Sequence, residues 1–78
     1  MNAPIGNIVI QSAADLGDVA RMQRQHLGLN QADIAGLAGT GNRFMVDLER
    51  GKPTLQLQMA LDVLHLLGLE VSVRPRVP

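Results

Sequence analysis

The sequence contains no cysteine, tryptophan or tyrosine, and Phe44 is its only aromatic residue. Without cysteine it can form neither disulfides nor thiolate metal sites, and its two histidines are too few and too far apart for a zinc site. The shortage of aromatic rings argues against a single-strand nucleic-acid binder that stacks bases on its side chains. We therefore expect neither a metal nor a cofactor.

Net charge and long apolar runs are absent as well. Seven basic residues balance seven acidic ones, and this neutrality gives no bulk indication of a nucleic-acid partner. No apolar run approaches the roughly 18 residues of a membrane span. The first basic residue is Arg21, so the charged start of a signal peptide is missing. We expect a soluble cytoplasmic protein with no membrane partner.

The length of 78 residues predicts one small domain. A core of this size buries only about 60% of the surface that the unfolded chain exposes, so extra support is needed. With disulfides and metals excluded, oligomerisation is the remaining source of that support. We expect a single domain over 1–78 that forms a homodimer, with an N-terminal arm or strand at 1–12, a helical bundle at 13–67, a C-terminal strand at 69–74 and a tail at 75–78.

Capping signals divide the middle of the chain into helices. Ser12 with Asp15, and Asn30 with Asp33, fit the capping box at a helix start, and Thr54 fits an N-cap. A glycine follows each helical pattern, directly or after a short turn, as is typical of a helix C-terminus. The predicted helices are Ala13–Leu27, Gln31–Ala38, Asn42–Arg50 and Leu55–Leu67.

The fourth predicted helix is too apolar to be covered by its own protomer. Nine of its 13 residues are apolar, and its only polar stripe is Gln58, Asp62 and His65. Three short helices cannot cover so wide an apolar surface. Part of this helix is therefore expected to lie in a dimer interface.

The residues after Gly68 predict a short half-buried strand. Leu69, Val71 and Val73 alternate with polar residues until Pro75. A lone strand needs a partner, and either the same strand of a second protomer or a strand at Ile8–Ile10 can supply it. We expect a mostly α fold of four to five helices with a C-terminal strand that pairs across a homodimer. The predicted interface residues are Leu61, Leu64, Leu69, Val71 and Val73.

Residues 31–50 have the pattern of a helix-turn-helix, in which two short helices flank a glycine-containing turn. The small Ala35 lets the helices cross closely, and Gly39 allows the left-handed turn between them. The second helix is apolar on one side and polar on the other. Together these features constrain the geometry strongly.

This segment resembles the Xre/Cro family of phage-repressor-like helix-turn-helix domains. The residues that carry the resemblance are Leu27-Gly28-Leu29-Asn30-Gln31, Ala35, Ala38-Gly39, Asp47-Leu48-Glu49 and Gly51-Lys52-Pro53. Within that family the chain is most similar to HipB-type regulators, the DNA-binding antitoxins of HipA-like kinase toxins. The narrower match rests on Arg43-Phe44, on residues 47–54 and on residues 66–71, and the family match as a whole covers about Leu16 to Val73.

The resemblance implies that the third helix enters the major groove of DNA and reads base edges. By position this role falls on Asn42 for adenine, Arg43 for guanine O6 and N7, and Val46 for a thymine methyl group. Asp47 has three interpretations: it accepts from a cytosine amino group, repels phosphate, or orients Arg43 or Arg50. Gly41 stands where many relatives have a serine or threonine cap.

The resemblance also implies two supporting roles. Gln31, Arg50 and Lys52 are expected to contact backbone phosphates, which position a protein without selecting sequence. Arg24 and Glu49 are expected to form an internal salt bridge that joins the first helix to the end of the recognition helix.

The function implied is that of a homodimeric repressor that binds a palindromic operator, autoregulates a toxin–antitoxin operon and binds a HipA-like kinase. No catalytic serine, histidine and acid set or phosphate-cradling loop is evident, so we do not expect an enzyme. Two alternatives remain. One is a solitary or prophage Xre-type regulator. The other is an antitoxin that acts by protein interaction with little DNA binding, which the neutral charge and Gly41 slightly favour.

Overall fold

A computed structural model describes residues 6–77. It contains four helices: α1 (Ala13–His26), α2 (Gln31–Ala38), α3 (Asn42–Glu49) and α4 (Leu57–Leu66). Over the described range the protein has no regular strand, so the mostly α prediction is confirmed. None of these helices is long and apolar enough to cross a bilayer.

The first two helices begin where their capping residues predict. The Ser12 hydroxyl accepts a hydrogen bond from the Asp15 amide at 3.1 Å, while the Asp15 carboxylate accepts one from the Gln11 amide at 2.9 Å. At α2 the capping box is complete, because Asn30 and Asp33 each accept from the other's backbone amide, at 2.8 and 2.9 Å. These contacts satisfy amide groups that would otherwise lack a partner at a helix start.

The predicted bounds of the other elements need correction. Leu27, Arg50 and Leu67 are C-caps, so α1, α3 and α4 each end one residue earlier than predicted. The start of α4 is Leu57 and its N-cap is Gln56, so the prediction of a Thr54 cap is wrong. Residues 53–54 instead form a turn, and Leu55 packs against the core before the helix begins.

The core lies where α2 meets α3 and α4, and α1 closes it by packing on α3. Its buried residues come from all four helices and from the end of α4: Ala20, Ile34, Ala35, Met45, Leu48, Ala60, Val63, Leu64 and Leu67. Phe44 is half-buried beside this cluster. The apolar side of α3 thus faces inward and leaves its polar side at the surface.

One of the five predicted interface residues is buried inside its own protomer. Leu64 is only 2% exposed because it packs into the core of its own protomer, so it is not available to a second copy. Leu61 and Leu69 are half-buried, whereas Val71 and Val73 are 56% and 97% exposed. Those predicted interface residues that remain accessible therefore lie at one edge of α4 and in the segment after it.

Neither predicted strand forms as an element of the single chain. Residues 8–10 and 69–74 have no regular secondary structure, so they do not pair with each other here. A ladder with a second protomer needs that protomer, so pairing across a dimer stays a prediction. Residues 1–5 of the predicted arm and residue 78 of the predicted tail lie outside the described residues.

The backbones of α1 and the end of α3 come close together at Gly17. A Cβ atom on Gly17 would collide with the Leu48 carbonyl oxygen and lie 2.9 Å from that of Glu49. Only a residue without a side chain allows the two helices to come this close. Gly36 is also in a helix, but a Cβ there would meet nothing within 4 Å.

We expect Gly17→Ala to lower the free energy of unfolding by about 1–3 kcal/mol, the usual range for overpacking, because α3 must shift away from α1. Gly36→Ala is the matched control and should stabilise by roughly 0.5–1 kcal/mol, since it adds helix propensity without a clash. Urea unfolding followed by circular dichroism measures both. Equal effects of the two substitutions would contradict the close-packing explanation.

Candidate nucleic-acid interface

The outer face of α3 presents the polar side chains predicted to contact DNA. Asn42 and Arg43 are exposed in its first turn, and Arg50 is exposed at its end. Val46 is half-buried between them. Gly41 is the N-cap and makes no side-chain capping bond, so the start of α3 lacks the contact that a serine or threonine would supply.

The opposite end of α3 is fixed by an ion pair to α1. Arg24 Nε lies 2.7 Å from Glu49 Oε2 and Nη2 lies 2.9 Å from Oε1, while Nη1 donates to the Leu29 carbonyl oxygen at 2.8 Å. The two side chains are only 12% and 5% exposed. The hydrogen bond with Glu49 raises the pKa of Arg24; burial opposes this rise, and attraction to the carboxylate charge adds to it. The pair is thus a bidentate, largely desolvated contact.

Gln31, predicted to contact phosphate, is also part of this arrangement. Its Nε2 donates to Glu49 Oε1 at 3.2 Å, so α2 is connected to the same carboxylate. An amide NH2 group has two hydrogens, so the second remains available to a ligand at the start of α2. One carboxylate therefore connects α1, α2 and α3.

Asp47 lies between the two basic side chains that flank it. Its Oδ1 is 3.3 Å from Arg43 Nε, one helical turn earlier, and its Oδ2 is 3.6 Å from Lys52 Nζ. The Lys52 amide also donates to the Asp47 carbonyl oxygen at 3.0 Å, which brings the lysine back over the helix end. Of the three interpretations of Asp47, orientation of Arg43 is the one that this geometry favours.

The structure separates the predicted residues into two groups. The first is the surface formed by Asn42, Arg43, Val46, Asp47, Arg50 and Lys52, which we call the α3 face. The second is the partly buried contact of Arg24, Glu49 and Gln31. Within residues 6–77 no three histidine or acidic side chains come together as a metal site.

Two residues that hold α1 against α3 and the end of α4 are absent from the sequence-based predictions. Gly17 permits the close contact of α1 with α3. A glycine inside a helix is a signal that such an approach can occur, but Gly36 in α2 shows that this signal alone does not identify it. Gln23 is buried and its Nε2 donates to the Leu67 carbonyl oxygen at 2.9 Å, which satisfies the end of α4. Its position three residues after Ala20 places it on the buried face.

We expect Glu49→Gln to lower the free energy of unfolding by up to about 3 kcal/mol, because it leaves the Arg24 charge partly buried without its partner. Asp18→Asn removes a carboxylate from the exposed pair of Asp18 and Arg21, 3.1 Å apart, and should cost less than about 1 kcal/mol. Chemical denaturation compares the two. A cost for Glu49→Gln as small as for the control would show that the pair is effectively solvated.

No family model matches the chain. A curated relative, the uncharacterized HTH-type transcriptional regulator y4mF of Sinorhizobium fredii (strain NBRC 101917 / NGR234), is 45% identical over 64 residues, which are 82% of this chain and 84% of that protein. The match extends over most of both chains, so it includes the helix-turn-helix and its surroundings.

Solved structures of HipB have the same fold. A HipB variant in an O2 20mer complex superposes with a TM-score of 0.82 at 21% identity, covering 90% of this chain and 97% of that one. HipB in a HipA-HipB-O2-O3 complex gives 0.81 at 20% identity, with 88% and 97% covered. With the exposed polar face of α3 and the 45% identical relative, these findings show that the chain belongs to the helix-turn-helix transcriptional regulators and has the DNA-binding fold of HipB.

Proposed function

We propose that this regulator is a homodimeric, sequence-specific repressor that binds a palindromic operator in the bacterial cytoplasm. The observation that carries the proposal is the α3 face, in which Asn42 and Arg43 are exposed on a helix whose far end is fixed to α1. A fixed helix can present base-reading groups in one geometry, as recognition by hydrogen bonds to base edges requires.

The chemistry of the α3 face suits the major groove. An arginine pairs with guanine O6 and N7 and an asparagine with adenine, and each good bidentate pair discriminates by about 1–3 kcal/mol. Lys52 and Arg50 lie beside these groups, where they can contact phosphates. In two-fold dimers of this class the half-sites lie about one helical turn apart.

The dimer is proposed from the open groove beside α4, whose lining is partly apolar and partly polar. Leu61, Leu69 and Val71 line it, together with His65, Gly68 and Glu70. The segment after Gly68 has an alternating apolar pattern and exposed valines, which is the surface that an unpaired strand presents to another copy. A two-fold pairing of these segments would cover the groove and join two α3 faces.

An antitoxin role is proposed from the fold relative. HipB is seen in a complex with HipA, and this chain matches nearly the full length of that HipB. We propose that the partner is a HipA-like kinase and that the repressor autoregulates the operon encoding both. A solitary or prophage regulator would bind DNA without such a partner.

Fluorescence anisotropy against the DNA upstream of the coding sequence tests the repressor. We expect a specific complex at moderate salt and a much weaker complex with a scrambled duplex of equal length. Co-purification with the product of the neighbouring gene tests the antitoxin role. A stable kinase complex without specific DNA binding would instead support the protein-interaction alternative, whereas specific binding without a kinase partner would support the solitary regulator.

We expect Arg43→Ala to weaken operator binding by about 1–3 kcal/mol and to relax preference at one base pair. Lys52→Ala is the matched control: it should weaken binding to all sequences alike and reduce the salt slope by about 1. A titration of single-base operator variants at several salt concentrations separates the two effects. A uniform loss for Arg43→Ala on every sequence would refute its role in base reading.

We expect the double substitution Val71→Asp and Val73→Asp to shift the protein from dimer to monomer, because two carboxylates would be placed in the proposed interface. The helical circular dichroism should be unchanged, since both side chains are exposed in the protomer. Val77→Asp, an exposed position beyond Pro75, is the control. Sedimentation equilibrium gives the mass, and a dimer that survives the double substitution would exclude this interface.

A further inference from the structure

The side chain of Asp47 is the least exposed part of the charged cluster on the α3 face. It is 14% exposed, whereas Arg43 is 82% exposed, and each of its two oxygens faces a different cation. The carboxylate therefore lies at the base of the cluster, with the arginine and lysine above it. A ligand that approaches from solvent meets these two cations before it meets Asp47.

Stability of α3 does not explain an acidic residue at this position. Asp47 is two residues before the end of the helix, where the dipole disfavours negative charge. Arg43 comes four residues before Asp47, and a basic residue placed before an acidic one at this spacing stabilises a helix less than the reverse order. Most of the arginine side chain is solvated, and the Lys52 side chain is half exposed with its Nζ 3.6 Å from Asp47, so neither contact adds much to folding. A role in the interaction of the face with its ligand is the better explanation.

The geometry at Arg43 suggests what that role is. A guanidinium group is planar and rigid, with donors on Nε and on both terminal nitrogens. Nε is the Arg43 atom nearest to Asp47 Oδ1, at 3.3 Å, so the carboxylate attracts the guanidinium group from its Nε side. This contact does not use the two terminal nitrogens, and the side chain as a whole is 82% exposed. Those nitrogens form an edge that can donate to guanine O6 and N7 together.

We propose that Asp47 is a specificity-determining positioning residue: it orients Arg43 for guanine and offsets the attraction of Lys52 for phosphate. This inference rests on the proposed repressor function. Because Arg43 is already oriented in the free protein, its side chain loses less conformational entropy when it binds the correct base. On other sequences the carboxylate remains close to the DNA backbone and opposes binding. Asp47 thus increases the ratio of specific to nonspecific affinity rather than affinity itself.

The variant that tests this is Asp47→Asn, which removes the charge while keeping the shape. We expect binding to a scrambled duplex to tighten at least about 5-fold at low salt, with a salt slope steeper by about 1. Operator affinity should change by less than about 3-fold, because lost orientation offsets the gained attraction. Asp62→Asn, an equal charge change at an exposed position on α4, should leave the ratio of the two affinities unchanged.

Two binding results would overturn the proposal. Equal tightening on operator and scrambled DNA would make Asp47 a repulsive charge only. Loss of operator affinity with no change on scrambled DNA would indicate a direct contact from Asp47 to a cytosine amino group. If the wild-type protein fails to distinguish operator from scrambled DNA, it is the proposed repressor function that fails, and the measurement on the free protein then decides the positioning role.

That measurement uses the free protein and needs no DNA. The Nε–H group of Arg43 should be more ordered by NMR relaxation than that of Arg76, an exposed arginine beyond the proposed dimer strand. Asp47→Asn should make the two arginines equally mobile, and Asp47→Glu should restore part of the order. An Arg43 side chain that is already as mobile as Arg76 in the wild-type protein would refute positioning by Asp47.

Discussion

The bidentate contact between Arg24 and Glu49 determines where α3 lies. Helix α3 has only eight residues, and isolated helices shorter than about 12 residues are marginal in water. Its N-terminus has no side-chain cap, so its fixed end is the C-terminal one. There a single carboxylate accepts from Arg24 on α1 and from Gln31 on α2, and the same arginine donates to the Leu29 carbonyl before α2. Both neighbouring helices are therefore connected to the end of α3.

A charged contact has a consequence here that an apolar one would not have. Replacing a buried ion pair by well-packed apolar residues is often neutral or stabilising, so the pair is weak evidence for stability alone. Its two parallel hydrogen bonds are directional, however, and Gly17 lets the α1 and α3 backbones approach until little sliding is possible. The pair and the close approach together fix the rotation of α3, and so which side chains its outer face presents.

The parts of this fold that depend on local chemistry could be predicted from the sequence. The starts of α1 and α2 follow from side chains that bond to amides three or four residues away, and the inward side of α3 follows from helical periodicity. The start of α4 could not be predicted in this way, because Leu55 packs against the core from the segment between the turn at 53–54 and the helix. Likewise, periodicity shows that α4 is apolar on several sides but not that Leu64, rather than Leu61, is fully buried.

In the candidate site, too, local contacts could be predicted from the sequence and contacts that depend on the path of the chain could not. Arg43 and Asp47 are one turn apart, so their proximity can be expected from spacing alone. Lys52 reaches Asp47 because the chain turns back after α3 and bonds its amide to the Asp47 carbonyl oxygen, a contact that helix periodicity does not contain. The sequence therefore indicates which residues form the α3 face, but not that Asp47 contacts both Arg43 and Lys52.

The positions of the acidic residues explain how a chain with zero net charge can present a basic surface. Asp15 and Asp33 accept from backbone amides at helix starts, and Glu49 is neutralised inside by Arg24, so these acids oppose no ligand at the α3 face. What remains on that face is a small excess of positive charge, reduced further by Asp47. So small an excess releases few counterions, and one face should bind DNA weakly and without selection by charge. For the proposed repressor, affinity must then come from two linked faces and from base contacts.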